Sequence, residues 1–121
     1  MSNLQRAEFI MSLPLLSELE RDVGQMAARA GEVAKLLKAI GNERRLLVLC
    51  QLVTLGEASA GTLGQAIGLS QSAMSQHLAV MREEGLLGTR REGTTIFYSL
   101  ADPKLNDLMA TLHRLYCGPH S

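Results

Sequence analysis

The chain has no tryptophan and only two Phe and two Tyr among its 121 residues. A core built from stacked aromatics is therefore excluded. Leu, Val, Ile, Met and Ala must fill the interior, and that set favours helices. A hydrophobic content of 46% suffices for a core, and the length fits one domain. No apolar run approaches the ~20 residues of a membrane span. The N-terminus lacks the basic start, apolar stretch and small-residue cleavage site of a secretory signal, so a cytoplasmic protein is expected. Cysteine is confined to Cys50 and Cys117. Without a Cys-x-x-Cys motif or a thioredoxin-like βαβ pattern, a thiol redox enzyme is disfavoured. A permanent structural disulfide is disfavoured too, because cytosolic thiols are normally reduced.

Charge of one sign is also missing, since the formal net charge is zero. A duplex binder usually shows a basic excess. The distribution is uneven, however. Residues 1–34 hold three Arg against five acids, and residues 35–121 hold nine Lys or Arg against seven acids. This balance predicts specific binding through a few placed contacts, with weak non-specific affinity.

What is present is an ordered series of elements over residues 58–100. Residues 59–67 read as a short helix closed by Gly68. A second helix restarts at once with Ser70 as N-cap, runs to Glu84 and stops at Gly85. Two helices joined by so tight a turn, the second with a polar face, form a helix-turn-helix over about 59–84. Strands at 86–91 and 94–100 follow, turning around Glu92-Gly93. They form a wing over about 86–100.

The flanks are helical. Pro14 suits a first helical turn. Leu16, Leu19, Val23, Met26, Ala27 and Ala30 then keep a stripe, which Val33, Ala34, Leu37 and Ile40 continue past a Gly31 that favours a bend. We read residues 1–33 as an N-terminal helical extension. Asn42 caps a helix from Glu43 to about Leu55, apolar nearly all round and so expected to be buried. Asp102-Pro103 opens a last helix, about 102–117, with Leu105, Leu108, Met109, Leu112, Leu115 and Tyr116 on one stripe. The fold class expected is mainly α with a small β-hairpin, a single winged-helix domain over 1–121. The terminal stripes have no obvious partner in so small a chain. They predict a homodimer through the terminal helices, reading an imperfectly palindromic operator.

The polar face of the second helix carries Gln71, Ser72, Ser75 and Gln76. Gln can hold adenine through two hydrogen bonds, and Ser can bond base edges or phosphate. Alone, such a face reads as ordinary solvated surface; its setting between turn and wing reverses that reading and favours double-stranded DNA. His77, beside Ala73 and Val80, suits packing or a phosphate bond. Arg90, Arg91, Thr94 and Thr95 about Gly93 suit a wing on phosphates or in a minor groove, or else a charged surface hairpin. Arg44 and Arg45 suit phosphate or a solvated helix end equally. A winged helix that binds only protein remains open at this point.

The runs at residues 69–78 and 81–87, then Arg90-Arg91-Glu92-Gly93 and Tyr98-Ser99-Leu100, resemble the ArsR/SmtB family of bacterial repressors. The resemblance covers roughly 34–117. It implies a homodimer that leaves its operator when an inducer binds, most often a metal or metalloid ion. The thiolate pair of the family's arsenic, cadmium and lead sensors falls here on Ser59 and Gly61. Of the zinc-sensor ligands, Asp102 matches, but Lys104, Leu115 and Gly118 stand elsewhere. Neither pattern retains its ligands, and no metal or other cofactor is expected from them.

Arg44–Cys50 and Leu115-Tyr116-Cys117 resemble instead the dithiol persulfide-sensing branch (BigR/SqrR/YgaV type). That resemblance implies a repressor released when Cys50 and Cys117 are linked by reactive sulfur species or oxidation. By residue type alone, Cys50 on an apolar helix reads as core filler. A metal- or haem-responsive alternative uses His113 and Cys117, one helical turn apart, with His120 following.

Overall fold

The computed structural model describes residues 16–118. Pro14 and His120 lie outside them. Two units divide between Ala39 and Ile40. The first carries helix α1 (Leu16–Ile40), which runs unbroken through Gly24 and Gly31. The expected bend at Gly31 does not interrupt it, and it continues well past residue 33. Val23 and Met26 on its stripe are 62% and 60% exposed.

The second unit is built by caps. Asn42 accepts hydrogen bonds from the backbone N–H groups of Arg44 and Arg45 at 3.0 and 3.2 Å and starts helix α2 (Glu43–Leu55). A two-residue strand β1 (Ala58–Ser59) follows. Ser59, expected inside the next helix, is its N-cap instead, its hydroxyl accepting from the Thr62 N–H. Helix α3 (Ala60–Ile67) ends at Gly68, whose φ of 85° is left-handed. Ser70 then accepts from the Ala73 N–H at 3.1 Å and opens helix α4 (Gln71–Glu83).

Strands β2 (Leu87–Glu92) and β3 (Thr95–Leu100) form the wing. Glu92 pairs with Thr95, so the loop is Gly93-Thr94 alone. Gly93 has φ of 62° while Thr94 keeps a negative φ, the pattern of a II′ turn with glycine first. The sheet is antiparallel in the order β1-β3-β2. Strand β1 escapes a periodicity reading because two residues show no alternation. Asp102 caps helix α5 (Pro103–Tyr116) by accepting from the Lys104 N–H at 2.8 Å.

Leu49 and Leu52 of α2, Leu63 of α3, Met74, Leu78 and Met81 of α4, and Leu105 and Met109 of α5 form an aliphatic core. Tyr98 is its buried aromatic residue. One expectation needs correction. Helix α2 is not buried all round: α3, α5 and β3 cover one side, and Leu46, Leu47 and Leu55 remain exposed on the other. The α5 stripe is buried only at its start, and Leu115 and Tyr116 are 62% and 78% exposed, as a stripe without a partner in the chain should be. In both helices the apolar residues occupy more of the circumference than one subunit's neighbours reach.

Candidate DNA interface and sensor thiols

Met74, Leu78 and Met81 are fully buried, which fixes the rotation of α4. That rotation leaves Gln71, Ser72 and Gln76 exposed and Ser75 and His77 half-buried. The N-terminal half of α4 thus presents donors and acceptors outward. Ser70 is spent on its cap.

The hairpin stands beside this helix. A cleft of about 340 Å³ separates them, lined by Ser59 to Gly61 at the start of α3, Gln71 and Ser75 of α4, and Thr94, Thr95, Ile96 and Tyr98 of the wing. The sequence places the helix and the wing in order; only the fold brings Gln71 and Thr94 to one cleft.

Arg90 and Arg91 do not share a location. Arg90 pairs with Phe97 across the ladder, and Ser59 pairs with Phe97 from the other side. Cross-strand partners project to one face. The guanidinium lies 4.7 Å from the Phe97 ring centroid. It donates from Nε and Nη2 to the Glu57 carboxylate, at 3.2 and 2.6 Å, and from Nη1 to Glu92 at 2.9 Å. The hydrogen bond from Arg90 holds the Glu57 carboxyl below its usual range. Hydrogen bonds to Glu57 and Glu92 hold Arg90 protonated more firmly than usual. Arg91 pairs with Ile96, hence projects to the opposite face, and is exposed with no carboxylate partner among the described residues.

A second forked pair joins the start of α2 to the end of α4. Arg45 donates from Nη1 and Nη2 to the two oxygens of Glu84 at 2.6 and 3.1 Å. Sequence reasoning missed Glu57 and Glu84, whose partners lie 33 and 39 positions away.

Both cysteines are free thiols, and the structure does not join them. Cys50 is half-buried on α2; Cys117 is exposed at the C-cap of α5, its N–H donating to the His113 carbonyl at 2.7 Å. Helices α2 and α5 pack together. Burial pushes the Cys50 thiol above its ordinary pKa, and the charge of Cys117 adds to the rise. Iodoacetamide is therefore expected to label Cys117 first. Cys50 labelling should keep accelerating at pH values where an ordinary thiol has levelled, because its thiolate forms later. Peptide-resolved mass spectrometry across pH checks both. Among the described residues no three His, Cys, Asp or Glu side chains gather as a metal site, so His113 and Cys117 have no third ligand there.

A reading helix locked by its apolar face, a tight turn before it and a two-residue hairpin beside it define a winged helix-turn-helix transcriptional regulator that binds duplex DNA. The family profile for bacterial regulatory proteins of the arsR family matches residues 42–88. The transcriptional activator HlyU of Vibrio cholerae is 43% identical over 105 residues, 87% of this chain and 96% of that protein. A structure of reduced HlyU from Vibrio cholerae superposes with a TM-score of 0.70 at 46% identity, covering 77% of this chain and 97% of that one. The transcriptional repressor BigR of Xylella fastidiosa gives 0.69 at 44% identity, covering 78% and 95%. The chain belongs to the ArsR family.

Proposed function

We propose that the protein is a cytoplasmic, homodimeric repressor that holds a palindromic operator and releases it when reactive sulfur species link Cys50 to Cys117. The observation that carries the DNA half is the outward row of Gln71, Ser72, Ser75 and Gln76 on a helix whose rotation is fixed by three buried side chains. Thr94 shares the cleft with Gln71 and Ser75, and we assign backbone contacts to it, His77 and Arg91.

The dimer reading is supported by the apolar side chains left exposed on α1 and at the end of α5, which a second copy would cover. Two-fold symmetry then sets the two α4 helices about one DNA turn apart.

The sensing half is supported by a half-buried and an exposed thiol on two helices that pack together. One similar structure is of a relative in its reduced form, and another relative is named a repressor. No helix among the described residues is long and apolar enough to cross a membrane.

A duplex selected by the protein from a random pool tests the first half. Gln71→Ala with Gln76→Ala is expected to lower affinity for it by about 1–3 kcal/mol per lost bidentate base contact. The slope of log affinity against log salt should stay unchanged, because phosphate contacts set that slope. Equal affinity of the double variant would remove α4 as the reading element.

A further inference from the structure

The two adjacent arginines of the wing are held so differently that they cannot serve DNA in the same way. Arg90 lies along the row Ser59–Phe97–Arg90, spans the ring of Phe97 and ends on Glu57, ahead of the far strand. Glu92 takes a further N–H. The side chain thus starts on β2, crosses β3 at Phe97 and ties β2 to the α2–β1 connection. Its charge is already met by two carboxylates, which repel a phosphate approaching the same face. Arg91 is one residue on and faces the other way, with Ile96 and Tyr98. The cleft beside α4 takes lining from both faces, Ile96 and Tyr98 from this one and Ser59 and Thr95 from that of Arg90. What sets Arg91 apart is therefore its guanidinium, free of any carboxylate among the described residues.

We propose that Arg90 is a positioning residue, strapped across the sheet by Glu57 so that β2 presents Arg91 to the DNA backbone. This rests on the reading of the domain as a duplex reader. The strap depends on shape as well as charge. An arginine fork can meet a carboxylate through two N–H groups while stacking on a ring, and a lysine cannot.

The test uses the full chain and the duplex it selects from a random pool, with affinity measured over a salt series. Glu57→Gln removes a negative charge near DNA, so simple electrostatics would tighten binding. The strap predicts the opposite: a loss of about fivefold, the upper end of what an exposed pair is worth. Arg90→Lys, which keeps the charge, is expected to lose about as much. In an Arg91→Ala background Glu57→Gln should cost nothing further, because the strap acts through Arg91. Urea melts of the free variants establish that each is folded under the assay conditions.

Tighter binding by Glu57→Gln, with the salt slope steepened by about 0.9, would instead make Arg90 a phosphate ligand masked by Glu57. That result overturns the proposal. So does unchanged affinity, or an undiminished loss in the Arg91→Ala background. If the unaltered protein selects no duplex, the DNA reading itself fails and the strap with it. If it selects one and Glu57→Gln binds more tightly, only the strap fails.

Discussion

Replacing Gly64 by alanine is expected to destabilise the domain by about 2–3 kcal/mol, at the severe end of small-to-large changes in packed sites. An added Cβ would stand 2.6 Å from the Leu69 carbonyl oxygen and 3.4 Å from that of Ser70. Both neighbours are backbone, so no side-chain rotation relieves the contact. The segment that must move is already committed. The Gly64 carbonyl accepts from the N–H groups of Gly68 and Leu69, both at 2.8 Å, and Ser70 is the N-cap of α4. Pushing Leu69 away loosens the turn and tilts the reading helix at its DNA end. The loss of operator affinity should therefore exceed what reduced stability explains, and should persist at temperatures where the variant is folded. Gly68→Ala is the control. Gly68 has a left-handed φ of 85° but nothing within 4 Å of its added Cβ. Its cost is conformational only, about 1 kcal/mol. Urea denaturation followed by circular dichroism ranks the two; equal midpoints would show that the close approach at Gly64 is not rigid.

Gly64 also marks the limit of what the sequence discloses. Boundaries with a chemical cap were legible: Asn42, Ser70, Gly68, Gly85 and Asp102-Pro103 place helix ends within a residue or two, because each has a stated local role. The spacing of Met74, Leu78 and Met81, four and then three residues apart, marks the locking face of α4. A glycine inside a helix gives no such signal, since its reason is a carbonyl on the next segment. The same holds for Glu57 and Glu84, which are ordinary surface acids until the fold closes gaps of 33 and 39 positions. Pattern also overstates burial. Leu46, Leu47 and Leu55 of α2 and the end of α5 are apolar in sequence, yet exposed in the subunit, because an apolar pattern states that a face will be covered and not by what.

Arg45–Glu84 suggests how a change at the thiols reaches DNA. Cys50 sits on α2, whose first turn is forked to the end of the reading helix. Helix α2 also packs on α5, which ends at Cys117. If the proposed linkage displaces α2, this pair is a direct side-chain connection between α2 and the end of α4, and Glu84→Gln is expected to weaken the coupling.

Treatment with inorganic polysulfide is expected to weaken operator binding at least tenfold, a difference of about 1.4 kcal/mol and within the usual range of coupling between sites. In the proposed reaction the exposed Cys117 thiolate attacks a sulfane sulfur and expels the shortened polysulfide, giving a persulfide. The Cys50 thiolate then attacks the Cys117 sulfur and expels hydrosulfide, leaving a Cys50–Cys117 disulfide. Two thiols lose two protons and two electrons, and the sulfane sulfur leaves reduced. Burial holds the Cys50 thiol above its ordinary pKa, so this second step is expected to be the more pH-dependent one. Its rate should climb with pH up to and through that raised pKa. Both thiols are free in this structure, and a disulfide requires their Cα atoms within about 7 Å. The proposed release follows if linking them fixes the last turn of α5 against α2 in a different position. The bridge closes a loop of ~68 residues, worth about 4 kcal/mol against the unfolded chain in the entropy model. That stabilises the fold without favouring either DNA state; only the strain that differs between free and bound shapes releases the operator. Intact mass identifies the product as two hydrogens lighter, or as heavier by whole sulfur atoms less two hydrogens where sulfur is retained. Cys50→Ser should bind DNA as the unaltered protein does, and should keep that affinity after treatment. A fully linked protein whose affinity at fixed salt is unchanged would end the dithiol reading while leaving the reading helix untouched.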